Sequence, residues 1–330
     1  LPDEAPEGFA SAAEALLKDA DALKRAGEAG LEVARSRFGF RSFVGDMLRL
    51  LDEPVPKISV IVPNYNYAHH LPHRIASILS QSLPVWEIIF LDDRSSDDSL
   101  AVAQKLLHNC SIRYRIIGNE ENSGSVFAQW QKGVDLAEGD VVWIAEADDW
   151  AARDFLKTAA AAFADPDVVV SYTQSNQVSG EGEILSASYL DYVADVDPVR
   201  WRAPFVTDGR WELANGLSVK NTLPNVSGVL FRRAALQQVL ARHMDEIRSY
   251  RVAGDWCAYA LLGRMGKFAY DPRPLNYHRR HSESVTISKF GQAEWDEIRR
   301  MQEYVAALSD VSEEMAERAT AYLGHLAERL

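Results

Sequence analysis

Three carboxylates, Glu146, Asp148 and Asp149, follow directly on the short apolar run Val141-Val142-Trp143-Ile144. Carboxylates gathered this closely repel one another and raise each other's pKa unless a cation sits among them. An oxygen-only donor set suits a hard divalent ion such as Mg2+ or Mn2+. The same acids read equally well as a solvated loop, or as the cap of a helix opening near Ala152. A second acidic turn, Asp92-Asp93-Arg94-Ser95-Ser96-Asp97-Asp98, precedes another helical run. Ser96 or Asp97 suffices as its cap, which leaves Asp92 and Asp93 for a ligand. Asp255 follows Gly254 just ahead of a helix read from Trp256. Aspartate caps helices well, and beside a glycine that admits close backbone approach it also suits a positioned general base. His278 and His281 flank Arg279 and Arg280, a local basic cluster in an otherwise acidic chain. His69, His70 and His73 are read as loop residues rather than ligands, because Pro72 breaks their helical spacing.

The elements that must carry these residues follow from periodicity. Val141–Ile144 is too short for a helix and rich in β-branched and aromatic residues, so it reads as a strand buried on both faces. Strands are also expected over 58–62, 86–91, 112–116 and 168–172, the third nearer an edge because Arg113 and Arg115 alternate with its apolar residues. Each of the first four ends on turn-forming or acidic residues and leads into a helix. Pro72 can open the first of these helices, with Ile75, Ile78 and Leu79 facing inward. Leu100, Ala103, Leu106 and Leu107 mark the second, and Val126, Trp130, Val134 and Ala137 the third. Alternation of this kind predicts a mostly parallel sheet whose ligands bind at the C-terminal ends of its strands.

Residues 174–224 lose periodicity and read as excursions lining a cleft, in which Tyr189, Tyr192, Trp201 and Trp211 could stack on sugar rings. Order returns at 226–232, followed by helices from Ala234 and Trp256. Beyond Gln292 a helical stripe of Trp295, Ile298, Met301, Val305 and Leu308 reads as packing. Residues 9–51 are helical in spacing, with Ala13, Leu16, Leu17 and Leu23 on one side. Glu53-Pro54-Val55-Pro56 is a linker. The expected organisation is therefore a helical extension over 1–52, a linker over 53–56, an α/β domain over 57–287 and C-terminal helices over 288–330.

With 35 Lys and Arg against 48 Asp and Glu, the 330-residue chain carries a net charge of −13. It has no long basic block, which argues against nucleic acid as a partner. Cys110 and Cys257 have no metal-site spacing and point to a reducing, cytoplasmic setting. No apolar run approaches the ~18 residues of a membrane span.

The ordered set VIVPNYN, LDDRSSDDS, NSGS, EGDVVWIAEADDW, GDW and YHRRHSESVT resembles the inverting family-2 glycosyltransferases of the GT-A fold, over about residues 57–287. The resemblance implies a nucleotide-diphosphate sugar as donor, a divalent metal, Mn2+ or Mg2+, and transfer of a hexosyl or deoxyhexosyl group with inversion. It places Pro63, Asn64, Tyr65, Asp92 and Asp93 at the nucleobase, with Asn122 and Gly124 of the NSGS turn on the same side. Asp148 falls nearest the ribose, Asp149 at the metal with Glu146, and His281 on a C-terminal loop as a ligand or phosphate contact. Asp255 falls at the general base. Two departures stand out: glutamate at 146, where aspartate is common, and Gln129-Trp130, where an Arg-Asn pair is common. The implied acceptor is a carbohydrate or lipid-linked glycan in bacterial-type surface polysaccharide assembly, which would bring a cytoplasmic enzyme to the inner face of the membrane.

Residues 12–51, with AGEAGLEVARSRFGF at their centre, resemble the C-terminal tail of GT-B glycosyltransferases. With Leu1 in place of methionine, this implies a piece of a larger chain with a companion transferase domain. Two other readings compete. A nucleotidyltransferase should carry a glycine- and lysine-rich loop where this chain has PNYN. A non-catalytic nucleotide-sugar-binding module would keep the carboxylates without turnover.

Overall fold

The computed structural model describes residues 18–22, 24–25, 27–30, 55–280 and 290–330. Residues 20–22, 24–25 and 27–30 are helical, as the spacing predicts; the expected apolar positions Ala13, Leu16, Leu17 and Leu23 lie outside the described residues, as do the linker's Glu53 and Pro54. From Ile58 the chain runs β1 (Ile58–Asn64), α1 (Leu71–Leu79), β2 (Glu87–Asp92), α2 (Ser99–Leu107), β3 (Arg113–Gly118), α3 (Val126–Leu136) and β4 (Val141–Ile144). These four strands lie in the order β3-β2-β1-β4, all parallel. Strand β3 is the edge, as its alternating pattern requires.

Beyond the acidic turn follow β5 (Trp150–Ala151), α4 (Phe155–Ala160), β6 (Val168–Val178), β7 (Ile184–Ser186), β8 (Phe205–Asp208), β9 (Val229–Arg232), α5 (Arg233–Arg248), α6 (Gly254–Gly263), β10 (Lys267–Arg279), α7 (Gln292–Leu308) and α8 (Glu313–Ala327). The sheet continues β4-β9-β6-β10-β5, with β9 antiparallel to both neighbours and β10 parallel to β6. Two features depart from the expected pattern. Strand β6 runs on to Val178, and β10 is a strand despite Pro272 and Pro274. Polar residues fill both, and they are satisfied inside the sheet: Ser175 Oγ accepts from Asn225 Nδ2 at 3.0 Å, and Asn176 Nδ2 donates to the Pro274 carbonyl at 3.0 Å. The prolines fall where the β10–β6 register shifts, the place a strand tolerates a missing donor.

The period-two alternation of the strands divides the core. Ile61, Ile89, Val142, Ile144 and Phe231 pack on one face against Trp130, Val134, Leu236 and Met301. Val60, Ile88, Phe90, Val141 and Trp143 face the other way onto Leu71, Ile75, Ile78, Ala103 and Phe155. Each such fully buried side chain contributes about 1.5–3 kcal/mol, which makes the register of β1, β2 and β4 firm and fixes what projects beyond their ends. Leu100 and Val126, expected to face inward, are exposed, because each stands at the open first turn of its helix.

Candidate active site

Strand β4 ends and the chain turns at once, with Asp149 N–H returning to the Glu146 carbonyl. Beneath this turn lies Arg74 of α1, with no exposed surface. Its Nε donates to the Glu146 carbonyl at 2.7 Å, and its Nη2 to Ser227 Oγ at 3.0 Å. Ser227 Oγ also accepts the Glu146 N–H at 3.2 Å. The guanidinium stacks 5.2 Å from the Trp143 ring. Burial lowers the Arg74 pKa to about 10, against the pull of Asp149, Asp148 and Glu146. Conversely, burial and the mutual repulsion of the acids raise the carboxyls of Glu146 and Asp149 well above the usual range. One buried cation thus faces three acids, and the set is short of positive charge.

Asp149 is buried and accepts the Arg279 N–H at 2.7 Å, whereas Glu146 and Asp148 are partly exposed. Arg279 is itself committed: Nε donates to the Asp148 carbonyl at 2.9 Å, Nη1 donates to the Ser179 carbonyl at 3.1 Å and to the Gly180 carbonyl, and the guanidinium covers Trp150 at 5.0 Å. It locks the acidic turn to the end of β10 rather than offering itself to a phosphate. Trp150 stacks between His73 at 4.3 Å and Tyr277 at 4.9 Å, so His73 is an aromatic neighbour of the turn. Among the described residues no three acidic, histidine or cysteine side chains converge as a ready metal cage. This still fits a divalent ion of the Mg2+ kind, which takes one or two carboxylates and completes its shell with water and substrate phosphates. His281 lies outside the described residues.

The second acidic turn behaves differently. Asp92 is fully buried and accepts from Asn64 Nδ2 at 2.8 Å and Ser95 Oγ at 2.6 Å. Asp93 accepts from Asn119 Nδ2 at 2.7 Å, Ser123 N–H at 2.9 Å, Ser123 Oγ at 2.7 Å and Gln129 Nε2 at 3.0 Å. Asn122 Nδ2 donates to the Asp93 carbonyl at 2.8 Å, and Gly124 adopts φ +65 to close that turn. Gln129, at a position where the sequence departs from the family pattern, therefore serves Asp93. Pro63 and Asn64 extend β1 opposite Leu91 and Asp92, and Tyr65 stands half exposed beyond them. Asp97 holds the entry of α2 through the Ser99 N–H at 3.0 Å and also accepts the Ala68 N–H at 2.9 Å; Ser96 instead bonds Asn66.

Asp255 sits in the first turn of α6, where its Oδ1 accepts the Trp256 N–H at 2.7 Å and its Oδ2 accepts from Asn221 Nδ2 at 3.1 Å. Burial pushes its carboxyl up to about 6. It lines a cleft of about 210 Å3 with Tyr189, Tyr192, His278, Arg280 and Tyr322. Tyr189 Oη and His278 Nδ1 lie 2.5 Å apart, and Arg280 Nη1 donates to Tyr189 Oη at 3.3 Å. The expected aromatic lining divides. Tyr189 and Tyr192 face this cleft, whereas Trp201 is buried with its Nε1 on Tyr172 Oη at 3.0 Å, and Trp211 is stacked on Arg200 at 4.0 Å. Arg74, Ser227 and Asn221 carried no sequence signal, since each is recognised only by partners far away in the chain.

Residues 59–215 match the family model described as Glycosyl transferase family 2. An uncharacterized glycosyltransferase of Nostoc sp. is 26% identical over 233 residues, 70% of this chain and 67% of that protein. The putative teichuronic acid biosynthesis glycosyltransferase TuaG of Bacillus subtilis is 30% identical over 130 residues, 39% of this chain, and the match spans 51% of TuaG's length. Among solved structures, Staphylococcus aureus TarS in complex with UDP-GlcNAc superposes with a TM-score of 0.58 at 19% identity, over 81% of this chain and 71% of that one. The mannosyltransferase PcManGT of Pyrobaculum calidifontis, in complex with GDP-Man and Mn2+, superposes at 0.51 and 16% identity, over 90% of this chain and 81% of that one. The parallel strands, the acidic turn and the family match converge: this chain carries a glycosyl transferase family 2 domain on a GT-A-like sheet.

Proposed function

We propose that this domain is a metal-dependent, inverting glycosyltransferase that moves a hexosyl or deoxyhexosyl group from a nucleotide-diphosphate sugar to a hydroxyl of a carbohydrate acceptor. The observation that carries this reading is that the end of β10 joins the acidic turn to the cleft that holds Asp255. His278 and Arg280 line it with Asp255, and the residue between them, Arg279, holds Asp149 of the acidic turn. The charge of Asp255 also helps raise the Glu146 carboxyl, after burial and the neighbouring Asp148 and Asp149.

In this reading the nucleotide lies over the ends of β1 and β2, with Tyr65 as a platform and Asp93 holding the Asn122–Gly124 turn against the base. Glu146 and Asp149 would hold the ion, Asp149 in the place where it accepts the Arg279 N–H, and Asp148 would lie nearest the ribose. A bound Mn2+ or Mg2+ supplies Lewis-acid stabilisation of the departing diphosphate. Asp255 takes the proton of the attacking hydroxyl on the opposite side, the geometry of an inverting displacement. A carboxylate with a pKa near 6 is ionised at neutral pH and still basic enough for the task. Tyr189 and Tyr192 offer rings to a sugar acceptor. The relatives named for polysaccharide assembly support an acceptor of that class, a surface glycan or its lipid-linked precursor. Among the described residues no helix is long and apolar enough to cross a membrane.

Thermal-shift and calorimetric titration with UDP-GlcNAc, GDP-mannose and related nucleotide-sugars, with and without Mn2+, tests the reading. Metal-dependent donor binding followed by slow release of the nucleoside diphosphate is expected. Binding without any turnover, with every acceptor offered, would leave a non-catalytic module.

A further inference from the structure

Helix α7 lies beyond the family-matched residues, and its apolar stripe does pack: Met301 and Val305 are fully buried. A second, polar stripe runs beside it. Glu294, Glu297, Arg300 and Tyr304 are spaced three, three and four apart, which puts them on one helical face. All four grip the segment 246–253 that leads into α6. Glu294 Oε1 meets Arg251 Nη1 at 3.2 Å, Arg300 Nη2 donates to the Ser249 carbonyl at 3.0 Å, and Tyr304 Oη donates to Glu246 Oε2 at 3.0 Å. Glu297 makes the tightest set. Its carboxylate accepts three consecutive backbone N–H groups, from Arg251 at 2.9 Å, Val252 at 2.5 Å and Ala253 at 2.7 Å.

Those donors explain why the carboxylate is there. Residues 251–253 run into the N-cap of α6, Ala253, ahead of the helix proper, so their N–H groups have no intrahelical partners. Glu297 supplies the anion from another helix, in a nest of successive N–H groups. Two residues on, Asp255 accepts the Trp256 N–H with one oxygen and meets Asn221 at the cleft with the other.

Resting on the glycosyltransferase reading above, we propose that Glu297 is a positioning residue for transfer: through the 251–253 backbone it fixes the first turn of α6 and with it the place of Asp255. The C-terminal helices then belong to the catalytic apparatus as well as to the packing.

The test uses the full chain as Glu297→Ala and Glu297→Gln, with Asp255→Asn alongside. The donor is whichever of a panel of UDP- and GDP-sugars the wild type turns over. Glu297→Ala should lower kcat by roughly 10- to 10²-fold, the scale of a misplaced catalytic group, with donor KM within about twofold. Glu297→Gln keeps an acceptor oxygen for the Val252 and Ala253 N–H groups and should recover most of kcat. Amide hydrogen exchange, which needs no donor, should show protection at 252–256 lost in the alanine variant and kept in the glutamine variant. A wild-type kcat or unchanged protection in Glu297→Ala overturns the proposal. So does joint loss of kcat and donor affinity without rescue by glutamine, which would mark a general folding role. Normal transfer by Asp255→Asn would instead remove Asp255 as the base, and with it the group that Glu297 is proposed to place.

Discussion

Arg74 reaches from the first helix of the domain to the acidic turn, 72 residues away in sequence, and donates from Nε to the Glu146 carbonyl at 2.7 Å. That bond places a fully buried cation under three acids, with Nη1 left without a hydrogen-bond partner among the described residues. The guanidinium is therefore held there by the field of the turn as well as by its own donors.

Removing this cation should uncover the repulsion it offsets. Arg74→Met should cost roughly 3–5 kcal/mol at pH 9, where both acids are ionised in the wild type, the scale of breaking a buried charge arrangement. Part of the loss should be recovered near pH 6, below the values of about 8 and about 7 at which Glu146 and Asp149 take up protons. Urea unfolding at the two pH values measures this. An equal loss at both would mean that packing against Trp143, and not charge, is what the side chain supplies.

Asp255 makes a pH prediction with a definite sign. Its carboxyl titrates near 6 in the folded protein against an ordinary value of 3.8. The folded state holds this proton more tightly, so the group favours folding at low pH and that contribution is lost as pH rises through about 6. Asp255→Asn should thus be more stable than wild type at pH 8 by up to about 3 kcal/mol, a gap that closes near pH 4. Its transfer rate should fall by at least ~10²-fold, while the wild-type rate should decline on the acid side of pH 6. Near-normal transfer by the variant would reduce Asp255 to a cap. Asp208 would be a poor replacement, because it caps the Arg210 N–H, and the adjoining Gly209 packs against Gly263 and Gly266 at the far end of α6. Asp191, exposed beside Tyr192, is the alternative to examine.

Two neighbouring aspartates should separate cleanly. Asp148→Asn should weaken Mn2+-dependent binding of UDP or GDP and leave the melting temperature near wild type, because the side chain is partly exposed. Asp149→Ala should lower both, since it also removes the acceptor of the Arg279 N–H. Calorimetric titration with each diphosphate, beside a melting curve, reads the difference. Unchanged affinity in both variants would end the case for a metal at this turn.

Asp93 should behave as a holder of the nucleotide loop. Asp93→Asn sets an amide among the donors of Asn119, Ser123 and Gln129 and should destabilise by about 1–3 kcal/mol. Donor KM should rise while kcat stays near wild type, the mark of lost ground-state binding. The reverse pattern would move Asp93 into the chemistry.

Local sequence was enough for the four strand-turn-helix repeats, because a two-residue and a 3.6-residue period are imposed by burial of one face and need no distant partner. It was enough, too, to place the acidic turn just past a strand end and Asp255 at a helix start. Tertiary structure alone decided the rest. The polar half of β6 and the proline-bearing β10 are strands only because each supplies the other's hydrogen bonds and buried amides. Trp201 looks like a sugar platform in isolation, yet its indole N–H is claimed by Tyr172 within the core. Arg74 and Glu297 are ordinary helix-surface residues by spacing. Their meaning comes from a carbonyl at Glu146 and from the N–H groups at 251–253, backbone groups that carry no sequence signature and meet these side chains only once the chain has folded.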